Sequence, residues 1–151
     1  MRADLPAGSG AYTLTASMRR QATLSTEVKS VWTFMSATTA QPQPLPLMAA
    51  RYSPEGLDDS NRARPGSTTR LPVWVERSPG STKVETKSVR LEMSADDGAT
   101  WRGVPVTRTG SGWTAILANP RTAGFVSLRA MVTDTAGNRV TQTITRAYAV
   151  G

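Results

Sequence analysis

The sequence predicts an all-β protein built as an antiparallel β-sandwich. Three observations carry that expectation. Apolar residues alternate with polar ones at period two through most of the chain, as half-buried strands require. Turn residues interrupt those runs about every 8–12 residues, the spacing of a sandwich. No segment keeps a helical apolar period over a useful length.

Taken in order, Ala11 to Ser17 alternates as a first strand and Ser25 to Ser36 as a second, anchored by Val28, Val31 or Trp32, and Phe34. Met18 to Leu24 is the hairpin connection between them. Pro42, Pro44 and Pro46 follow; each removes a ladder donor and fixes φ, so this stretch reads as an extended linker or edge segment. We place a boundary there, between residues 1–45, a β-strand region that can be the end of a preceding β domain, and residues 46–151. The second unit has about the 100 residues of an immunoglobulin or fibronectin III-like sandwich. Its strands are expected at Leu47–Tyr52, Thr69–Arg77, Val84–Met93, Trp101–Thr107, Gly112–Leu117, Phe125–Val132 and Arg139–Tyr148, with a turn-rich loop from Ser53 to Ser67. Leu71, Val73 and Val75 form one inward face, and Val89, Leu91 and Met93 another.

Composition narrows function. Of 151 residues, 38% are hydrophobic and 19% charged. No apolar run approaches the roughly 18 residues of a membrane helix, so no membrane span is expected. Met1 to Pro6 lacks the apolar core of a secretion signal. That leaves either a cytosolic chain or a start cut into a longer protein, and the second is the reading taken. The net charge is +7, but the cations are scattered along every expected strand, and Arg19-Arg20 is the one adjacent pair. Clustering and interleaved aromatics are both missing, which argues against nucleic acid as a partner. There is no His and no Cys. A Ser-His-Asp arrangement, a Cys-His pair, the usual zinc sites and a disulfide framework are therefore all excluded. Paired carboxylates remain, in Glu55, Asp58 and Asp59 and in Asp96 and Asp97, but both groups sit among turn residues. No catalytic residue, cofactor or metal is assigned.

The sharpest motif is Ser94-Ala95-Asp96-Asp97-Gly98-Ala99-Thr100-Trp101, which matches the Asp-box pattern S-x-D-x-G-x-T-W at every fixed position. Asp96 is expected to accept hydrogen bonds from the backbone of its own turn. Gly98 supplies positive φ, Thr100 favours the returning strand, and Trp101 packs over the hairpin. Asp-boxes recur in sialidase propellers, where they are structural and present in several copies; this chain has one. Asp134-x-x-Gly137-Asn138 joins two strands as a second turn, with Asp134 capping it and Gly137 and Asn138 tolerating left-handed conformations. A calcium cage is the alternative for this loop, against which stand its shortness and its few carboxylates, and it is rather more open for Asp58, Asp59 and Asn61. Trp32 and Trp101 fall where packing is expected. Trp74 lies out of phase with Leu71, Val73 and Val75, and Trp113 lies beside glycines, so these two are the candidates for ligand or interface contact.

Several runs together resemble one family. They are Val84 to Trp101, Val104-Pro105-Val106, Gly112-Trp113-Thr114, Gly124 to Ala130, Asp134 to Asn138, and Ile144-x-Arg146-Ala147-Tyr148, preceded by Val31-Trp32-Thr33-Phe34 and Asp59-x-Asn61-Arg62-Ala63. This set, from about Tyr12 to Val150, resembles the C-terminal module of large secreted subtilisin-like serine proteases of high-GC Gram-positive bacteria. In that family the catalytic Asp, His and Ser lie in a separate upstream domain, and no position here matches them. The resemblance implies an extracellular, non-catalytic accessory module whose partner is the upstream protease domain of the same polypeptide. Its role would be stability, spacing, or engagement of a protein or polysaccharide surface. A carbohydrate-binding module carried by Trp74 and Trp113 is the alternative.

Overall fold

The computed structural model describes residues 6–151, so the first five residues of the N-terminal region lie outside the described residues. The chain is all-β, with antiparallel sheets in an immunoglobulin or fibronectin III-like sandwich arrangement, and no helix occurs among the described residues. The strands are β1 (Ser9–Arg19), β2 (Glu27–Ala37), β3 (Met48–Tyr52), β4 (Arg62–Ala63), β5 (Thr68–Arg77), β6 (Thr86–Ser94), β7 (Arg102–Val104), β8 (Val106–Thr109), β9 (Gly112–Ala118), β10 (Gly124–Asp134) and β11 (Arg139–Val150). The larger sheet runs β1-β2-β11-β10-β6-β7, with β4 added in parallel to the end of β11; the smaller runs β3-β5-β9-β8.

Period-two alternation puts one face of each strand into the space between the sheets. Leu71, Val73, Ala115 and Leu117 from the smaller sheet meet Leu91, Met93, Val126, Leu128, Ala130, Val132 and Val140 from the larger, all of them buried. Val75 and Trp113 are partly buried and pack against this core. Gly112 has a packing reason to be glycine: a Cβ there would come within 2.7 Å of the Val73 carbonyl oxygen on β5.

Three expectations change in the structure. Trp101–Thr107 is not one strand. Pro105 interrupts it, and the chain crosses there from β7 in the larger sheet to β8 in the smaller. A proline has no N–H to continue a ladder, so the break coincides with the change of sheet. The Ser53–Ser67 loop contains a short strand, β4, which covers the part of β11 beyond the reach of β2. The second strand begins at Glu27 rather than Ser25, because Ser25 takes φ 49° and donates its N–H to the Arg146 carbonyl. Across the boundary placed at residue 45, β2 is hydrogen-bonded to β11 from Thr33↔Arg139 to Glu27↔Thr145. The Trp32 indole N–H also donates to the Met48 carbonyl at 2.6 Å.

Candidate functional site

The Asp-box is a closed hydrogen-bonded turn at the end of β6. The Asp96 carboxylate accepts from the Thr100 N–H at 2.9 Å, the Thr100 hydroxyl at 2.6 Å and the Ser94 hydroxyl at 2.6 Å. Those bonds, the Ser94 one foremost, hold its pKa down at about 2. Gly98 has φ 92°, and a Cβ on it would sit 3.2 Å from the Trp101 ring. The position therefore demands glycine both for its backbone and for its space. Thr100 does more than favour a strand, since both its donors close the turn. The Arg129 guanidinium also lies over the Trp101 ring, 4.3 Å from its centroid, and Arg129 is held by Glu92.

Arg146 joins three segments that the sequence leaves unrelated; the sequence marks it only as part of the Ile144-x-Arg146-Ala147-Tyr148 run, with no role of its own. It occupies a bulge where β11 has extra residues opposite Ser127, takes φ 56°, and donates its N–H to the Ser127 hydroxyl at 2.9 Å. Its guanidinium grips Asp97 with two hydrogen bonds, of 2.9 and 2.7 Å, and lies 4.5 Å from the Phe125 ring centroid. The Arg146 side chain holds the Asp97 carboxyl below its ordinary range. The only hint in the sequence is a large cation within a run that otherwise reads as a regular strand.

The Asp134 turn is built in the same way. Asp134 is buried and its carboxylate accepts from the Ala136 N–H at 3.0 Å, the Asn138 N–H at 2.9 Å and the Asn138 side-chain amide at 2.9 Å. Gly137 takes φ 87°, as expected, but Asn138 does not take positive φ; its role is to donate to Asp134 from a buried position. A fourth donor arrives from the other sheet, Arg77 at 3.2 Å. In the remaining loop, Asp58 accepts from the Ser60 and Arg62 N–H groups, both at 2.9 Å, while Asp59 and Asn61 are exposed. Among the described residues no three His, Cys, Asp or Glu side chains converge as metal ligands would. Glu55 is paired with Arg70.

The two candidate tryptophans are not brought together. Trp113 lies opposite Val73 in the β5–β9 register and therefore on the core-facing side, with Arg108 over its ring at 5.6 Å. Trp74 is on the outer face and 41% exposed, beside Arg51 in register and near the Arg51–Glu76 ion pair. Ile116, 52% exposed, shares that outer face. No single aromatic platform uses both rings. Trp32 and Trp101 are partly buried.

No protein-family model matches the chain, and no curated protein matches it. Fold and geometry define the class: a β-sandwich whose polar motifs organise turns.

Proposed function

We propose that this chain is a non-catalytic accessory module of a secreted subtilisin-like protease, serving the stability, spacing or substrate engagement of a hydrolytic domain carried upstream. One observation supports the reading above others. The side chains of the two most distinctive motifs in the resemblance, Asp96 with Thr100 and Asp134 with Asn138, are engaged by their own turns. Such groups specify a scaffold, not a reaction. The absence of His from the sequence agrees with chemistry residing elsewhere.

The test begins with the native reading frame upstream of Met1. A domain with Asp, His and Ser in subtilisin-like contexts is expected there. Deleting residues 1–151 from that protein should leave cleavage of a short peptide within about twofold. It should also shorten the thermal half-life or slow digestion of a macromolecular substrate. A frame that starts at Met1 with no protease domain overturns the proposal.

The carbohydrate-binding reading keeps one favourable observation, the exposed Trp74 ring. It now rests on Trp74 alone. A change in tryptophan emission with soluble glycans that disappears in Trp74→Ala would support it; silence across a broad glycan panel would remove it.

A further inference from the structure

A β-sandwich has four sheet edges, and each unpaired edge is a template for another strand unless something blunts it. Three edges of this molecule are blunted. At one end of the larger sheet, β7 has only three residues. In the smaller sheet, β8 has four residues, carries Arg108 and follows directly on Pro105. The outer edge of β3 is capped by side chains from the larger sheet. Gln142 bonds both the Ala50 N–H, at 3.1 Å, and the Ala50 carbonyl, at 2.9 Å, while Trp32 takes the Met48 carbonyl.

The fourth edge, β1, has none of these devices. It is 11 residues long, pairs with β2 in unbroken register, and contains no proline. It carries no charge from Ser9 to Met18. No described strand lies beyond it. The flanking bonds Thr38 N–H to Gly8 and Arg20 N–H to Thr26 fix the phase of the ladder. Even-numbered residues of β1 direct their backbone groups at β2; Ala11, Thr13, Thr15 and Ser17 direct theirs outward.

We propose that this edge is an interaction surface for β1 of a second copy, joined antiparallel about a two-fold axis at Leu14. The sequence is self-complementary in that register. Thr13 faces Thr15 of the other copy, Ala11 faces Ser17, and Ser9 faces Arg19, so no like charges oppose each other in a molecule of net charge +7. On the core-side face, Leu14 meets Leu14, Tyr12 meets Ala16, and Met18 comes to lie beside Gly10. Met18 is 63% exposed in the single chain. This arrangement leaves room for the two smaller sheets. Each is anchored through β3 to β2 and β11, leaving the strands β2, β1 and their two counterparts between them at about 4.8 Å per strand.

Sedimentation equilibrium of the full chain tests this, with Thr13→Pro and Thr15→Pro as edge variants. Both prolines delete an outward donor that β2 does not use. The expected result is a concentration-dependent dimer that tightens as salt screens the net charge and weakens at least about tenfold in either variant. Thr13→Lys with Thr15→Lys keeps every backbone donor and supplies a second route should proline disturb the hairpin. In hydrogen exchange, the Ala11, Thr13, Thr15 and Ser17 amides should gain protection as concentration rises. A monomer up to about millimolar concentration overturns the proposal. So does a dimer that both sets of variants leave unchanged, because the contact then lies elsewhere.

Discussion

At the scale of single residues, the polar groups that matter are those for which burial leaves no alternative partner. Asp134 is buried and its charge is met from the opposite sheet by Arg77, which is itself mostly covered. Removing one member strands the other in a poorly hydrated place. Asp134→Ala is expected to cost about 3–5 kcal/mol in denaturant unfolding, with Arg77→Met milder because the turn donors remain. Tyr148 is fully buried, and its hydroxyl donates to Asn119 at 2.8 Å; the Asn119 amide in turn reaches Thr69 and Ser67. Tyr148→Phe should cost about 1–3 kcal/mol by leaving the Asn119 carbonyl unpaired. Burial pushes the Tyr148 phenol up to about 12 from its ordinary 10, so the fold favours the neutral form. That contribution is complete below pH 10 and is lost as pH rises toward about 12. Unfolding curves across this range should fall less steeply in Tyr148→Phe, with a remaining slope from Tyr52, whose phenol burial also raises. Asp96 works in the opposite direction. Its pKa, lowered to about 2, gives stability above 3.8 that disappears as pH falls. The gap in Tm between the wild type and Asp96→Asn should be open near neutral pH and close between about pH 4 and pH 2.

At the scale of elements, connections between strands carry most of the specificity. The Gln142 side chain stands in for a neighbouring strand and closes the buried outer edge of β3 at Ala50. Gln142→Leu keeps approximate volume but leaves the Ala50 N–H and carbonyl unsatisfied, at an expected cost of about 2–4 kcal/mol. Hydrogen exchange should locate the damage, with Ala50 losing protection before the β10–β11 amides do. Pro105 acts at the same scale, since it sits where the chain leaves one sheet for the other. The Arg146 bulge of β11 ties the β1–β2 turn, the Asp-box loop and β10 together through Ser25, Asp97 and Ser127.

At the scale of the whole molecule, the N-terminal hairpin is continuous with the sandwich. The β2–β11 ladder and the Trp32–Met48 bond join it to both sheets. The expected behaviour is one cooperative unfolding transition. Tryptophan emission and far-ultraviolet circular dichroism should give the same midpoint, and the Val31 amide should exchange at the rate of the core amides around Val140. An early, separate loss of hairpin protection would show that residues 9–37 melt alone.

Alternation and turn chemistry are local properties, and they were legible in the chain. The all-β class, the inward sets Leu71–Val73 and Val89–Leu91–Met93, the Asp96 and Asp134 turns and the outward phase of Trp74 all follow from period two and short-range hydrogen bonding. Tertiary structure decided what depends on residues far apart in sequence. Trp113 faces the core because β9 is registered against β5, which neighbouring glycines do not reveal. Pro105 divides two sheets because β7 and β8 find different partners. Gln142, Arg77 and Arg146 acquire their roles from groups on other elements, Ala50, Asp134 and Asp97. A strand's own pattern tells which residues face inward; only the packed sheets tell what those residues meet, because side-chain partners across a sandwich are set by register and stacking, which no local stretch encodes.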